Sequence, residues 1–106
     1  MGSCRSSGVL TADAVVSAER CKLVSIHAVY TGTTGATTVK VFDNASAASG
    51  TELARLILTG PHGGDPTMMD RSIIEFDMHG VLALNGLFLQ ISTGSGTGAA
   101  VSVEYN

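Results

Sequence analysis

The sequence contains no tryptophan and few other aromatic residues, two tyrosines and three phenylalanines in 106 positions. A stacking platform for sugar rings or unpaired bases is therefore poorly supplied, with Tyr30 and Tyr105 as the main resources. Charge is also scarce: 14 % of residues are charged, where an ordinary soluble domain has about 25 %. That shortfall implies a surface partly reserved for a partner. The six basic residues Arg5, Arg20, Lys22, Lys40, Arg55 and Arg71 are scattered under a net charge of −3, which leaves no stripe for a phosphate backbone. No apolar run approaches the roughly 20 residues of a membrane-spanning helix. The longest, "VLALNGLFLQI", is broken by Asn85, Gly86 and Gln90.

Two cysteines, Cys4 and Cys21, do not make a disulfide framework, and "MGSCRSSG" has no apolar region of the kind a secretory signal needs. Cys21 opens an apolar run and reads as a small buried hydrophobe. Gly2 and Ser6 fit the myristoylation template, with Cys4 as a possible second anchor, but no polybasic patch follows and the short pattern arises easily by chance. No membrane association is expected.

What the chain does contain is strand signal at intervals of about ten residues, with almost no helical periodicity. "GVLTADAVVS" is followed by a polar turn and by "CKLVSIHAVYT", where Val24, Ile26 and Ala28 alternate with Leu23, Ser25 and His27. In "ATTVKVFD", Val39 and Val41 oppose Thr38, Lys40 and Phe42; "TGTTG" before it reads as a hairpin loop. "NASAASG" reverses the chain into "TELARLILT". After the irregular "GPHGGDPTMMD" come "RSIIEFDM", "GVLAL", "LFLQIS" and, beyond "TGSGTG", "AAVSVEY". Asn85-Gly86 between apolar runs predicts a tight hairpin. The expected fold is all-β: one antiparallel β-sandwich, jelly-roll-like or immunoglobulin-like, of seven to eight strands with little or no helix. It spans residues 11–106 behind a flexible N-terminal arm, residues 1–10.

Chemistry is thin. His27 on a strand face reads as a satisfied or exposed sheet histidine, and His79 before Gly80 as part of a turn. His62, Asp65 and Asp70 match no metal-site spacing, and Asp43-Asn44 lacks the alternating oxygens of a calcium loop, so both regions read as turns. "STGSGTG" lacks the Lys and the following helix of a phosphate loop. No catalytic triad, metal or cofactor is expected. Met68 and Met69 in the long loop either meet a partner or plug the open end of the core.

The stretches "VKVFDNASAASGTEL" (residues 39–53) and "GVLALNGLFLQISTGSGTGAAVSVEY" (residues 80–105) resemble small virion proteins of tailed bacteriophages. That resemblance implies a compact β-sandwich displayed on a virion. The expected role is a capsid decoration (cement) protein, a homotrimer on the outer surface of the capsid that clamps neighbouring copies of the major capsid protein. A tail- or fibre-associated adaptor, or a glycan- or receptor-binding module, is the alternative. Composition alone points to Val9 and Leu10 in the arm, which could add a strand to a neighbour's edge, and to His62, Met68, Met69 and Asp70 in the long loop as the partner contacts. Neither nucleic acid nor membrane is an expected partner.

Overall fold

The computed structural model describes residues 4–32, 35–59, 73–92 and 97–106. It is all-β, with eight strands in two antiparallel four-stranded sheets and no helix among the described residues. The strands are β1 (Arg5–Ser6), β2 (Ala14–Ser17), β3 (Cys21–Tyr30), β4 (Ala36–Asp43), β5 (Thr51–Thr59), β6 (Ile73–Ala83), β7 (Leu87–Ile91) and β8 (Ala99–Tyr105). One sheet runs β1-β8-β3-β6 and the other β2-β7-β4-β5.

Among these neighbours are four nested pairs: β4 with β5, β3 with β6, β2 with β7, and β1 with β8. The chain therefore behaves as one long antiparallel hairpin, its tip between β4 and β5, rolled up so that β8 also meets β3 and β7 also meets β4. That wrapping is the jelly roll.

The roll closes because alternate side chains on both sheets are aliphatic. Leu23, Ile26, Ala28, Val101 and Val103 face Val39, Val41, Leu56, Leu58, Leu87 and Leu89 in one shared core. Each large aliphatic side chain so buried contributes about 1.5 to 3 kcal/mol. Thr37 is the one fully buried polar side chain among the described residues, and its hydroxyl oxygen accepts the Gly98 N–H at 2.8 Å. This bond ties β4 of one sheet to the entry of β8 in the other.

Four sequence expectations are corrected. Leu23 faces the core with Ile26 and Ala28, not away from them, because a bulge around Val24 inserts one residue into β3 against β8 and inverts the alternation there. The Asn85-Gly86 turn is not a hairpin: it carries the chain from β6 in one sheet to β7 in the other. A type I′ turn needs positive φ at both central residues, and His79 is the only non-glycine residue with positive φ among the described residues. Gly86 is required for another reason, since a Cβ there would lie 2.4 Å from the Ser17 carbonyl oxygen. The "TGTTG" loop likewise joins the two sheets instead of making a hairpin, which leaves β4 and β5 as the one pair joined within a sheet. Finally, "RSIIEFDM" and "GVLAL" contribute to a single strand, β6, kinked at His79 and Gly80, both at positive φ.

The segment expected as an arm lies, from residue 4 onward, against its own sheet. Arg5 and Ser6 pair with Tyr105 and Glu104. Leu10 exchanges backbone hydrogen bonds with Val101 at 2.7 and 2.8 Å before the chain crosses to the other sheet at Ala14. Adding this segment to a neighbour's edge would first require stripping it from β8.

Candidate interaction surface

Of the residues expected to meet a partner, Val9 is exposed, whereas Leu10 packs against the core and is held by the Val101 bridge. His62, Met68, Met69 and Asp70 lie outside the described residues. The structure exposes a different apolar surface.

It follows β6, an edge strand that pairs only with β3 among the described residues. Ile73 is 71 % exposed and Leu84, just past the strand, 59 %; Phe76, Val81 and Leu82 are also exposed. On the outer face of the sheet Ile73 lies opposite Val29 of β3, itself exposed. Ile57 of β5, 60 % exposed, pairs with Thr38 and so lies on the outer face of the other sheet, apart from this band. A long edge strand with exposed apolar side chains is a template for pairing, and monomeric proteins blunt such edges. The signal was present in the sequence: the run from Ile73 to Leu84 has apolar residues at both odd and even positions, the pattern of a strand covered on both faces.

Beside this band, the outer face of the same sheet holds a polar row. His27 Nε2 and Glu104 Oε1 are 2.6 Å apart, while Nδ1 stands 3.8 Å from Glu75 Oε1. The bond from His27, reinforced by Ser25, holds the Glu104 carboxyl below the usual carboxylate range. Ser25 Oγ reaches the same Nε2 at 3.4 Å, where Glu104 is the nearer partner. The Nε2 atom is thus engaged by Glu104, and its position does not activate the serine. Glu75 and Asp77 extend this negative row along β6, so the apolar edge is bordered by acid on one side.

The outer face of the second sheet differs. One cross-strand row, Phe42, Phe88 and Val15, is apolar, and its members shelter one another enough to leave Phe42 only 9 % exposed. The next row, Arg55, Lys40 and Gln90, is polar. A bulge at Leu53 brings Glu52 and Arg55 to the same face despite their odd spacing, and the guanidinium donates to the carboxylate through Nε at 2.6 Å and Nη2 at 2.9 Å. That pairing lowers the Glu52 carboxyl pKa and raises that of Arg55.

The two cysteines are free, Cys4 exposed and Cys21 buried, with burial pushing the Cys21 thiol pKa up. No group of three or more His, Cys, Asp or Glu side chains poised to hold a metal occurs among the described residues. No protein family matches the chain, and neither does any curated protein or solved structure.

Proposed function

We propose that this jelly roll is a structural virion protein, a decoration subunit that binds the outer surface of a capsid and staples neighbouring subunits of the major capsid protein together. The observation that carries the proposal is the apolar band along β6. Exposed aliphatic and aromatic side chains on an edge strand gain about 25 cal/mol for each Å² they remove from water, so covering this band favours association. Further support comes from the resemblance of residues 39–53 and 80–105 to small tailed-phage virion proteins, and from the strand order, an arrangement shared by many viral capsid domains. Fold likeness alone does not assign function, so the weight falls on the surface.

In this proposal the chain is a homotrimer, in which symmetry multiplies contacts that are individually weak. Mass photometry of the purified protein, alone and with empty capsids of the source virus, tests it. A trimer that saturates capsids at fixed stoichiometry is the expected outcome, and the double variant Ile73→Lys/Phe76→Lys should lower capsid occupancy at least about ten-fold, equivalent to about 1.4 kcal/mol. A wild-type monomer that ignores capsids would sink the proposal.

A further inference from the structure

The Arg55–Lys40–Gln90 row opens into a groove of about 770 Å³ on the outer face of the second sheet. Its size falls within the roughly 300 to 1,000 Å³ of small-molecule sites. Thr38, Lys40 and Gln90 line it from β4 and β7, Arg55 from β5, and Asp13 and Ser92 from the segments flanking β2 and β7.

Asp13 is placed there by the fold. Just before β2 its Oδ1 accepts the Ile91 N–H at 2.8 Å, so a side chain continues the pairing where the backbone ladder begins and the chain arrives from the other sheet. Its second oxygen has no partner among the described residues. The Lys40 ammonium, the Gln90 amide and the Thr38 and Ser92 hydroxyls likewise make no hydrogen bond among the described residues. Arg55 spends Nε and Nη2 on Glu52 and keeps Nη1 for a ligand.

These groups select a chemistry by what they offer. Lysine and arginine only donate, the aspartate only accepts, and the amide and two hydroxyls do either. The charges of Lys40 and Arg55, both acting on Glu52, are offset in number by those of Glu52 and Asp13, so a polyanion gains little net attraction. Ile91 is nearly fully buried, so an apolar ligand finds little to cover. A ligand suited to this lining presents closely spaced hydroxyls that donate and accept at once. We infer that the groove is a saccharide site, binding the hydroxyl edges of one to three sugar rings through polar contacts and without aromatic stacking. The site is separate from the β6 band, and its existence does not depend on the assembly proposal.

The test is two-dimensional amide NMR of the full-length protein titrated with maltotriose, triacetylchitotriose and trigalacturonate, with tri-aspartate as the acidic-peptide control. The expected result is a saturable shift, at millimolar concentration with at least one trisaccharide, confined to the amides of residues such as Asp13, Lys40, Gln90 and Ser92. Lys40→Met and Gln90→Ala, both on the outer face, should each weaken that binding about ten-fold, the loss of one charged or well-made hydrogen bond, while leaving the remaining amide spectrum in place. Three outcomes overturn the inference: no saturable shift with any trisaccharide at tens of millimolar, undiminished binding by both variants, or a response to tri-aspartate alone. The last would reassign the groove to an acidic peptide.

Discussion

Asp43 and Asn44, neighbours in sequence, organise two different turns. Asn44 Oδ1 accepts the N–H groups of Ser46 and Ala47, and its amide donates to Ser49, which folds the β4–β5 tip on itself. Asp43 reaches across to the β6–β7 turn and accepts the N–H of Asn85 at 2.7 Å and of Leu84 at 3.1 Å. These bonds, led by the one from Asn85, draw the Asp43 carboxyl below the usual carboxylate range. The sign of the pH dependence follows: a depressed carboxyl stabilises the fold above its unfolded value, about 3.9, and the contribution fades as pH falls through the folded value. Asp43→Ala should cost about 1 kcal/mol near neutral pH, and the gap from wild type should narrow as pH is lowered below about 3.9, measured by urea unfolding across that range. The same contacts bring "VFDN" and "NG" together in space around Asp43, Asn44, Asn85 and Gly86. Those motifs encode a structural node, which is why they name a fold more readily than a partner.

At the scale of the element, β6 departs furthest from a regular strand. Asp77 accepts the His79 N–H at 2.9 Å, His79 has φ 55° and Gly80 φ 79°, and the pairing to β3 slips between Asp77 and Val81. A left-handed residue within a strand disfavours side chains branched at Cβ. His79→Val should therefore destabilise by about 1 to 2 kcal/mol while His79→Gly leaves the urea midpoint near wild type; equal midpoints for the two variants would remove the backbone explanation. Elements of this kind mark the limit of reading from sequence. Strand identity was legible for β3, β4, β5, β7 and β8, whose alternating Val, Ile and Leu residues each fill one face of the shared core. Partnership was not: Asn-Gly favours a turn, but whether that turn closes a hairpin or crosses between sheets depends on what lies on the far side, here Ser17 and Asp43. The bulges at Val24 and Leu53 were equally hidden, because an inserted residue changes the facing of its neighbours without changing their composition. The apolar edge was legible in β6, whereas the polar groove required the register that sets Arg55, Lys40 and Gln90 in one row.

For the molecule as a whole, nested pairing makes the final contacts the most distant in sequence: Arg5 lies beside Tyr105. Such topology slows folding, to milliseconds or seconds, since long loops must close before the outer pairs form. It also fixes the contribution of the first residues. Removing residues 2–10 takes away β1, the half-buried Leu10 and the bonds to Val101 and Val103, and should lower stability by about 2 to 4 kcal/mol, read from denaturant unfolding. A truncation without effect would mean that the segment is dispensable to the roll. The adjacency of Arg5 and Tyr105 has a practical consequence for engineering. A short Gly/Ser linker can join residue 106 to residue 4, and the backbone can then be reopened within the Asn44–Gly50 tip, producing a circular permutant whose new ends emerge where β4 and β5 meet. Cargo fused there would leave from the same end of the sandwich as the native termini, but beside the β5 edge instead of the β1–β8 edge.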